Sequence, residues 1–265
     1  MKVYFVDSFT TEKFKGNPAA VCIAQNKLDN DTMQKIATEI GFSETAFIEH
    51  VAGNTYNIRF FTPKIEIPIC GHATLASSKI IFDTTDLKTI KFINCNNVEF
   101  PIEKTGDKIK MQFPVYDTEE LDVPQKLLDA LGIREILNKR YSPQNKIVLL
   151  EIKSAGDVAN LNPDFTALLN SYTGIHGVLV TAISDNNEFD FHYRYFWPWA
   201  GTNEDPVTGG VQTFLTKYWA LKLNKTKLKA WQSSLRTGTM DTEFLEDRVY
   251  ILGEAVTTLE GDIIV

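Results

Sequence analysis

The sequence is short of the residues that build disulfide frameworks and metal sites. Its three cysteines, Cys22, Cys70 and Cys95, are an odd number with no Cys-x-x-Cys, and its four histidines are scattered without ligand spacing. Neither a disulfide scaffold nor a zinc site is signalled, and a reducing cytoplasm is the expected compartment. Basic residues are also scarce, 27 Lys and Arg against 34 Asp and Glu, for a formal net charge of −7. With no local basic cluster, neither a nucleic acid nor an anionic membrane is an expected partner. No window reaches the roughly 18 uncharged apolar residues of a membrane span. The start, MKVYFVDSF, lacks the basic head and long apolar run of a signal peptide. What is present is 43% hydrophobic residue over 265 positions, enough for a large core in one big domain or two ordinary ones. The expected partner is a small molecule.

Strand-like runs recur at 2–8, 19–24, 45–49, 55–61, 98–103, 108–113, 146–152, 177–183, 189–197 and 248–252. Helical spacing is clearest over 31–41. There Met33, Ile36, Ala37 and Ile40 fall at i, i+3, i+4 and i+7 behind Asn30/Asp31 as N-cap, and Gly41 stops the run. Further helices are expected at about 72–83, 163–170 and 207–222, with a shorter one at 124–131 opened by Pro124. The composition of elements is α/β (α+β), with strands dominant.

An internal repeat organises these elements. Arg59-Phe60-Phe61-Thr62-Pro63, followed by Glu66-Ile67-Pro68-Ile69-Cys70-Gly71-His72, matches Arg194-Tyr195-Phe196-Trp197-Pro198, followed by Glu204-Asp205-Pro206-Val207-Thr208-Gly209-Gly210; only the spacer differs, by three residues. In each copy an aromatic strand ends at proline, a loop carries Glu-x-Pro, and a glycine turn opens a helix. Two similar, pseudo-twofold-related halves follow. They are expected to divide in the acidic, turn-rich stretch from Pro114 to Pro124, giving 1–117 and 118–254, with a returning strand at about 255–265 on the first half.

If the halves face one another, helix starts near Gly71 and Gly209 point into the cleft between them. Each offers free backbone N–H groups and about half a positive charge, a natural seat for a carboxylate. Gly71, Gly209 and Gly210 serve there either to let a substrate approach the backbone or only to turn the chain. Glu44 stands just past a helix stop and shares strand parity with Ala46 and Ile48, so it faces an apolar side. Burial raises a carboxyl's pKa, and a carboxylate poised nearer neutrality can take and return a proton; the bland alternative is a solvated loop glutamate. His72, between Gly71 and Ala73, is expected to be held neutral by the positive helix end. Asp205 before Pro206 reads either as a substrate group or as an N-cap with proline at N1. Cys70 invites a thiol mechanism. Its repeat equivalent is Thr208, which cannot supply the second base of a two-thiol racemase, so Cys70 is read as packing.

Five blocks now stand in order: Phe14-Lys15-Gly16-Asn17-Pro18-Ala19-Ala20-Val21, Ser43-Glu44-Thr45-Ala46-Phe47, Arg59 to Pro63, Pro68-Ile69-Cys70-Gly71-His72-Ala73-Thr74-Leu75-Ala76, and Glu204-Asp205-Pro206-Val207-Thr208-Gly209. Together they resemble the PhzF-like (phenazine biosynthesis) family of isomerases, and Gln232, Arg236-Thr237-Gly238 and Val249–Gly253 resemble its C-terminal part. The resemblance implies the diaminopimelate-epimerase-like fold: two halves, each a curved, mostly antiparallel sheet around a central helix, with the site between them. It also implies proton transfer without cofactor or metal on a small carboxylate-bearing substrate, usually in a homodimer. Glu44 matches the family's acid/base, His72 and Asp205 match groups that orient the substrate, and Gly71, Ala73, Thr208, Gly209 and Gly210 fall in the binding turns. One departure is visible. The family's Thr-Gly-Ser is here Thr208-Gly209-Gly210, which removes a hydroxyl donor and puts the phenazine precursor in doubt as substrate. Two rival readings stay open: an amino-acid racemase or epimerase on the same fold, and a ligand-binding relative without chemistry.

Overall fold

The computed structural model describes residues 1–24 and 28–264. The chain divides into two units, Met1–Gln112 with Tyr250–Val265, and Phe113–Val249. In unit 1, β1 (Lys2–Ser8) pairs antiparallel with β2 (Asn17–Ile23). Helix α1 (Asn30–Ile40) then carries the chain over to β3 (Thr45–Ala52), which runs parallel to β2 and so needs a crossover. β4 (Thr55–Phe61) returns antiparallel to β3, and the short β5 (Glu66–Ile67) folds back on β4. Helix α2 (Gly71–Thr84) is the second crossover, to β6 (Thr89–Ile93), which lies parallel to β4. β7 (Glu99–Thr105) and β8 (Lys108–Pro114) follow as an antiparallel meander.

Unit 2 repeats the plan. After β9 (Glu119–Glu120) and α3 (Gln125–Leu131), β10 (Asn138–Ser142) pairs antiparallel with β11 (Ile147–Glu151). Helices α4 (Ala155–Ala159) and α5 (Phe165–Ser171) cross to β12 (Gly177–Ile183), parallel to β11. β13 (Phe191–Trp197) is antiparallel to β12, and β14 (Thr202–Asp205) folds back on it. Helix α6 (Gln212–Leu223) crosses to β15 (Lys227–Gln232), parallel to β13, and β16 (Gly238–Leu245) pairs antiparallel with β15. β17 (Arg248–Gly253) leads to β18 (Ala255–Asp262), which pairs antiparallel with β1 as β9 pairs with β10. This is the mixed α/β fold expected from the repeat.

The repeated motif has a mechanical cause. In unit 1 Arg59 holds Glu66 in a fork, Nε to Oε1 at 2.7 Å and Nη2 to Oε2 at 2.6 Å, with its guanidinium 5.1 Å from the Phe61 ring. In unit 2 Arg194 holds Glu204 at 2.7 and 2.8 Å and lies 4.9 Å from Phe196. Bidentate pairing needs arginine and a carboxylate at fixed places, and the stacking needs the aromatic two residues on. The clamp ties each Glu-x-Pro loop to its aromatic strand. The longer second spacer opens with a single 3₁₀ turn, Pro198–Ala200, closed by Gly201 at φ 96°.

Several boundaries differ from expectation. The α1 cap is Asp29, whose carboxylate accepts from the Thr32 amide at 2.7 Å, one residue earlier than Asn30. Gly41 closes the helix at φ 72°, and Met33, Ile36 and Ala37 bury its apolar face with Val3, Cys22, Phe47 and Phe61. Helix α6 begins at Gln212 rather than 207, because residues 206–211 form turns. Strands β5, β6, β9, β10, β14, β15 and β16 and helix α4 were not expected. Helix α2 is buried nearly all round, packing on β1, β2, β3 and β18, and its hydroxyls are satisfied internally: Thr74 donates to the Cys70 carbonyl and Ser78 to that of Thr74, both at 2.7 Å.

Candidate active site

Glu44 is the last residue before β3, and its carbonyl accepts from the Ala20 amide of β2 at 3.3 Å. That anchor places the side chain on the buried side, only 6% exposed. His72 sits in the first turn of α2, its carbonyl bonded to the Ser8 hydroxyl at 2.8 Å. The two side chains meet: His72 Nε2 lies 3.0 Å from Glu44 Oε2. Behind them, Cys70 Sγ is 3.5 Å from His72 Nδ1. The amides of Gly71, His72 and Ala73 precede the first intrahelical bond, Thr74 to Cys70, and the Cys70 side chain does not cap them. An uncapped helix start of this kind binds anions.

This geometry reverses two expected protonation states. Burial pushes the Glu44 carboxyl up, but the charge of His72, with hydrogen bonds from His72, Ser43 and Cys70, more than offsets it and leaves Glu44 below the usual glutamate value. Burial pushes the His72 imidazole down, yet the Cys70 sulfur and the Glu44 carboxylate raise it well above 6.5. Burial pushes the Cys70 thiol up as well, while His72 and the Ala73 amide pull it down. The resting pair is therefore carboxylate and imidazolium, where sequence reasoning expected a poised acid and a neutral imidazole. Sequence carries no signal of a 3.0 Å contact between residues 28 positions apart.

Glu44, Cys70 and His72 offer ligand atoms within 4.8 Å of one another, the one such group of three among the described residues. A cation there would have to displace the Glu44–His72 bond and take the proton from a thiol that burial holds up. The donor set fits proton sharing better than metal ligation.

In unit 2, Asp205 ends β14 opposite Tyr195 of β13 and is 9% exposed. It does not cap α6, contrary to the N-cap alternative; its Oδ2 accepts from the Thr208 hydroxyl. The Thr208 carbonyl accepts from the Tyr193 hydroxyl at 3.2 Å, and its amide donates to Gln232 Oε1 at 2.7 Å. Gly209 and Gly210 follow in 3₁₀-like turns, accepting from Gln212 and Thr213. Thus Glu44, Gly71, His72 and Ala73 converge in unit 1, and Asp205, Thr208, Gly209 and Gly210 share one turn in unit 2. Sequence reasoning missed Ser43 and Cys70 as hydrogen-bond partners of Glu44, though both adjoin residues it singled out, and it missed the anchoring contacts of Gln232.

The model of the PhzC-PhzF family, phenazine biosynthesis-like protein, matches residues 6–261. Among curated proteins the chain is 39% identical over 267 residues to an uncharacterized isomerase of Halalkalibacterium halodurans, covering 99% of this chain and 98% of that one. It is 35% identical over 283 residues to the phenazine biosynthesis-like domain-containing protein of Homo sapiens, covering 98% of each. Among solved structures, a PhzF-family phenazine biosynthesis protein of Enterococcus faecalis superposes with TM-score 0.93 at 36% identity, over 100% of this chain and 99% of that one. A probable proline racemase of Agrobacterium radiobacter, at TM-score 0.64 and 11% identity, shares the fold. With the match spanning nearly its whole length, this chain belongs to the phenazine biosynthesis-like PhzC-PhzF family.

Proposed function

We propose that the protein is an isomerase that moves a proton between carbons of a small carboxylate-bearing substrate without a cofactor, with Glu44 as acid/base. The observation that carries this reading is the buried Glu44–His72 pair, 3.0 Å apart, beside the uncapped amides of α2. The substrate carboxylate takes the amides of Gly71, His72 and Ala73. Glu44, already ionised, removes a proton from a carbon made acidic by an adjacent unsaturated system. Negative charge then develops on the substrate just as Glu44 becomes neutral, and the imidazolium of His72 turns from countering the carboxylate to countering that charge. Protonated Glu44 redelivers the proton at another carbon. Asp205, Thr208, Gly209 and Gly210 orient the substrate; the family resemblance implies a homodimer, and the cysteine usage a reducing cytoplasm.

The repeat favours one base over two. Strand register aligns Glu44 with Gly177, since Thr45 pairs with Phe61 as Val178 pairs with Phe196. Cys70 aligns with Thr208 in the same way. Neither equivalent position in unit 2 carries a base. Support also comes from two relatives named as uncharacterized isomerases, from Halalkalibacterium halodurans and Pseudomonas aeruginosa.

The test is incubation of a panel of unsaturated and amino-acid carboxylates in deuterated water, read by mass spectrometry and ultraviolet absorbance. Wild-type protein is expected to place deuterium in one compound and shift its double bond. Glu44→Gln should lose about 10²–10⁴-fold in rate. A fully active Glu44→Gln protein ends the assignment, and exchange with inversion at one centre and no spectral change selects the racemase reading.

A further inference from the structure

We propose that Gln232 is a positioning residue that holds the Asp205–Thr208 turn in its working geometry, and that Asn94 is its counterpart in unit 1. The inference rests on reading that turn as substrate-binding. Gln232 is fully buried at the end of β15. Both ends of its carboxamide go to the backbone of one turn: Nε2 donates to the Asp205 carbonyl at 2.6 Å and Oε1 accepts from the Thr208 amide at 2.7 Å. A third, longer contact of 3.4 Å runs from Nε2 to the Thr208 hydroxyl, which is itself bonded to Asp205. Two residues on, the Ser234 hydroxyl donates to the Pro206 carbonyl at 2.6 Å. Three anchor points, at residues 205, 206 and 208, are thus gripped from β15 and the loop after it. A primary amide suits this task, since it carries a donor and an acceptor on two separate atoms of one neutral group.

Unit 1 has a carboxamide at the same register position, turned on the carbonyl that Ser234 holds in unit 2. Tyr56 pairs with Phe92 across β4 and β6, and Phe191 pairs with Ala230 across β13 and β15. With Phe61 equivalent to Phe196, this register places Asn94 at the position of Gln232. Asn94 is likewise buried, and its Nδ2 donates to the Pro68 carbonyl at 2.7 Å. Pro68 is the repeat equivalent of Pro206. The shorter Asn94 spends its oxygen on its own loop, accepting from the Asn96 and Val98 amides at 3.0 and 2.9 Å. Only the longer glutamine grips its turn at both ends. That difference matches what the turns carry, because the grip in unit 2 falls on the two residues, Asp205 and Thr208, whose side chains are proposed to meet the substrate.

The test compares the full-length wild type with Gln232→Met, which keeps the volume, and Gln232→Glu, which keeps the acceptor for Thr208. Amide hydrogen exchange is followed residue by residue by NMR. In Gln232→Met the Thr208 amide should exchange about 10-fold faster or more, while Leu179 and Val180 of β12 keep their protection. In Gln232→Glu the Thr208 amide should stay protected. On the compound that wild-type protein labels with deuterium, Gln232→Met should lose about 10-fold in kcat/KM and Gln232→Glu should recover part of it. Unchanged Thr208 exchange in Gln232→Met overturns the proposal, and so does full activity in a variant whose turn has loosened. If wild-type protein labels no compound, the acid/base reading fails on its own, and Thr208 exchange still decides whether Gln232 holds the turn.

Discussion

The two units repeat a scaffold and part company at its chemistry. Both keep the arginine fork, the aromatic beneath it and a buried carboxamide behind the Glu-x-Pro turn. At the register position of Glu44, unit 2 has Gly177, and the space a side chain would need is already taken: a Cβ there would stand 2.6 Å from the Tyr195 ring, 2.7 Å from its hydroxyl and 2.8 Å from the Phe196 carbonyl. The difference teaches that positions bearing load have stayed alike, while the position next to the helix start has been given a carboxylate in one copy and filled by a neighbour in the other.

The largest effect should appear where the load is heaviest. Arg194 is nearly buried and, besides Glu204, its Nη1 donates to the Leu161 carbonyl at 2.6 Å and to the Ala159 carbonyl at 3.3 Å. Arg194→Met strands Glu204 and those carbonyls and should cost about 3–5 kcal/mol. Arg59 and Glu66 are each 26% exposed, and beyond the fork Arg59 adds, among the described residues, a bond to Asn30. Solvent can replace part of what Arg59→Met removes, so its cost should be about 1.5–3 kcal/mol. Urea unfolding midpoints rank the two; equal losses would break the claim that the second copy carries more. Next comes Gly177→Ala. Backbone oxygen is among the atoms it meets, so the chain cannot yield cheaply, and overpacking of about 1–3 kcal/mol is expected in the same assay.

The asymmetry of charge sharpens the comparison through pH. His72 is raised above 6.5 in the folded state, so the stability it contributes is full below 6.5 and is lost as pH rises through its folded value. Glu44 is lowered below 4.5, so its contribution is present above 4.5 and is lost as pH falls through its folded value. The pair therefore stabilises most between 4.5 and 6.5. His72→Asn removes the charge and leaves burial, the cause that raises Glu44, opposed only by the weaker hydrogen bonds from Ser43 and Cys70. The acid limb of the rate profile should then move to higher pH. An acid limb that stays put would show that His72 does not set the ionisation of Glu44.

How much of this could be read in the residues follows from where the physics is local. The repeat was legible because arginine, aromatic and Glu-x-Pro are each required in place by the clamp. The strands around 55–61 and 177–183 were legible because they are apolar or aromatic on alternating or successive positions. Strands β6 and β15 alternate as well, but TIKFI and KLKAWQ are short and lysine-bearing, so the same signal was too brief to stand out. Asp205-Pro206 has the look of a helix start, yet the helix begins six residues past the proline, because Gln232 and Ser234, distant in sequence, hold the intervening turn. The amide staples were invisible for a related reason: one is asparagine, the other glutamine, and their shared role appears only when strand register aligns them.

The smallest expected effect separates two glycines of unit 2. Gly177 is kept by packing. Apart from its chain neighbours, Gly210 has no atom of the described residues within 4 Å of the place a Cβ would take, and its backbone lies outside the left-handed region. Neither space nor conformation requires glycine there, so Gly210→Ala should stabilise by about 0.4–1 kcal/mol, through the lost freedom of the unfolded chain. Thermal unfolding of Gly210→Ala beside Gly177→Ala should thus give shifts of opposite sign. If Gly210→Ala destabilises as well, the turn before α6 depends on its glycines for folding. If it stabilises, the fold has no need of Gly210, and the room beside those amides is left for whatever the turn receives.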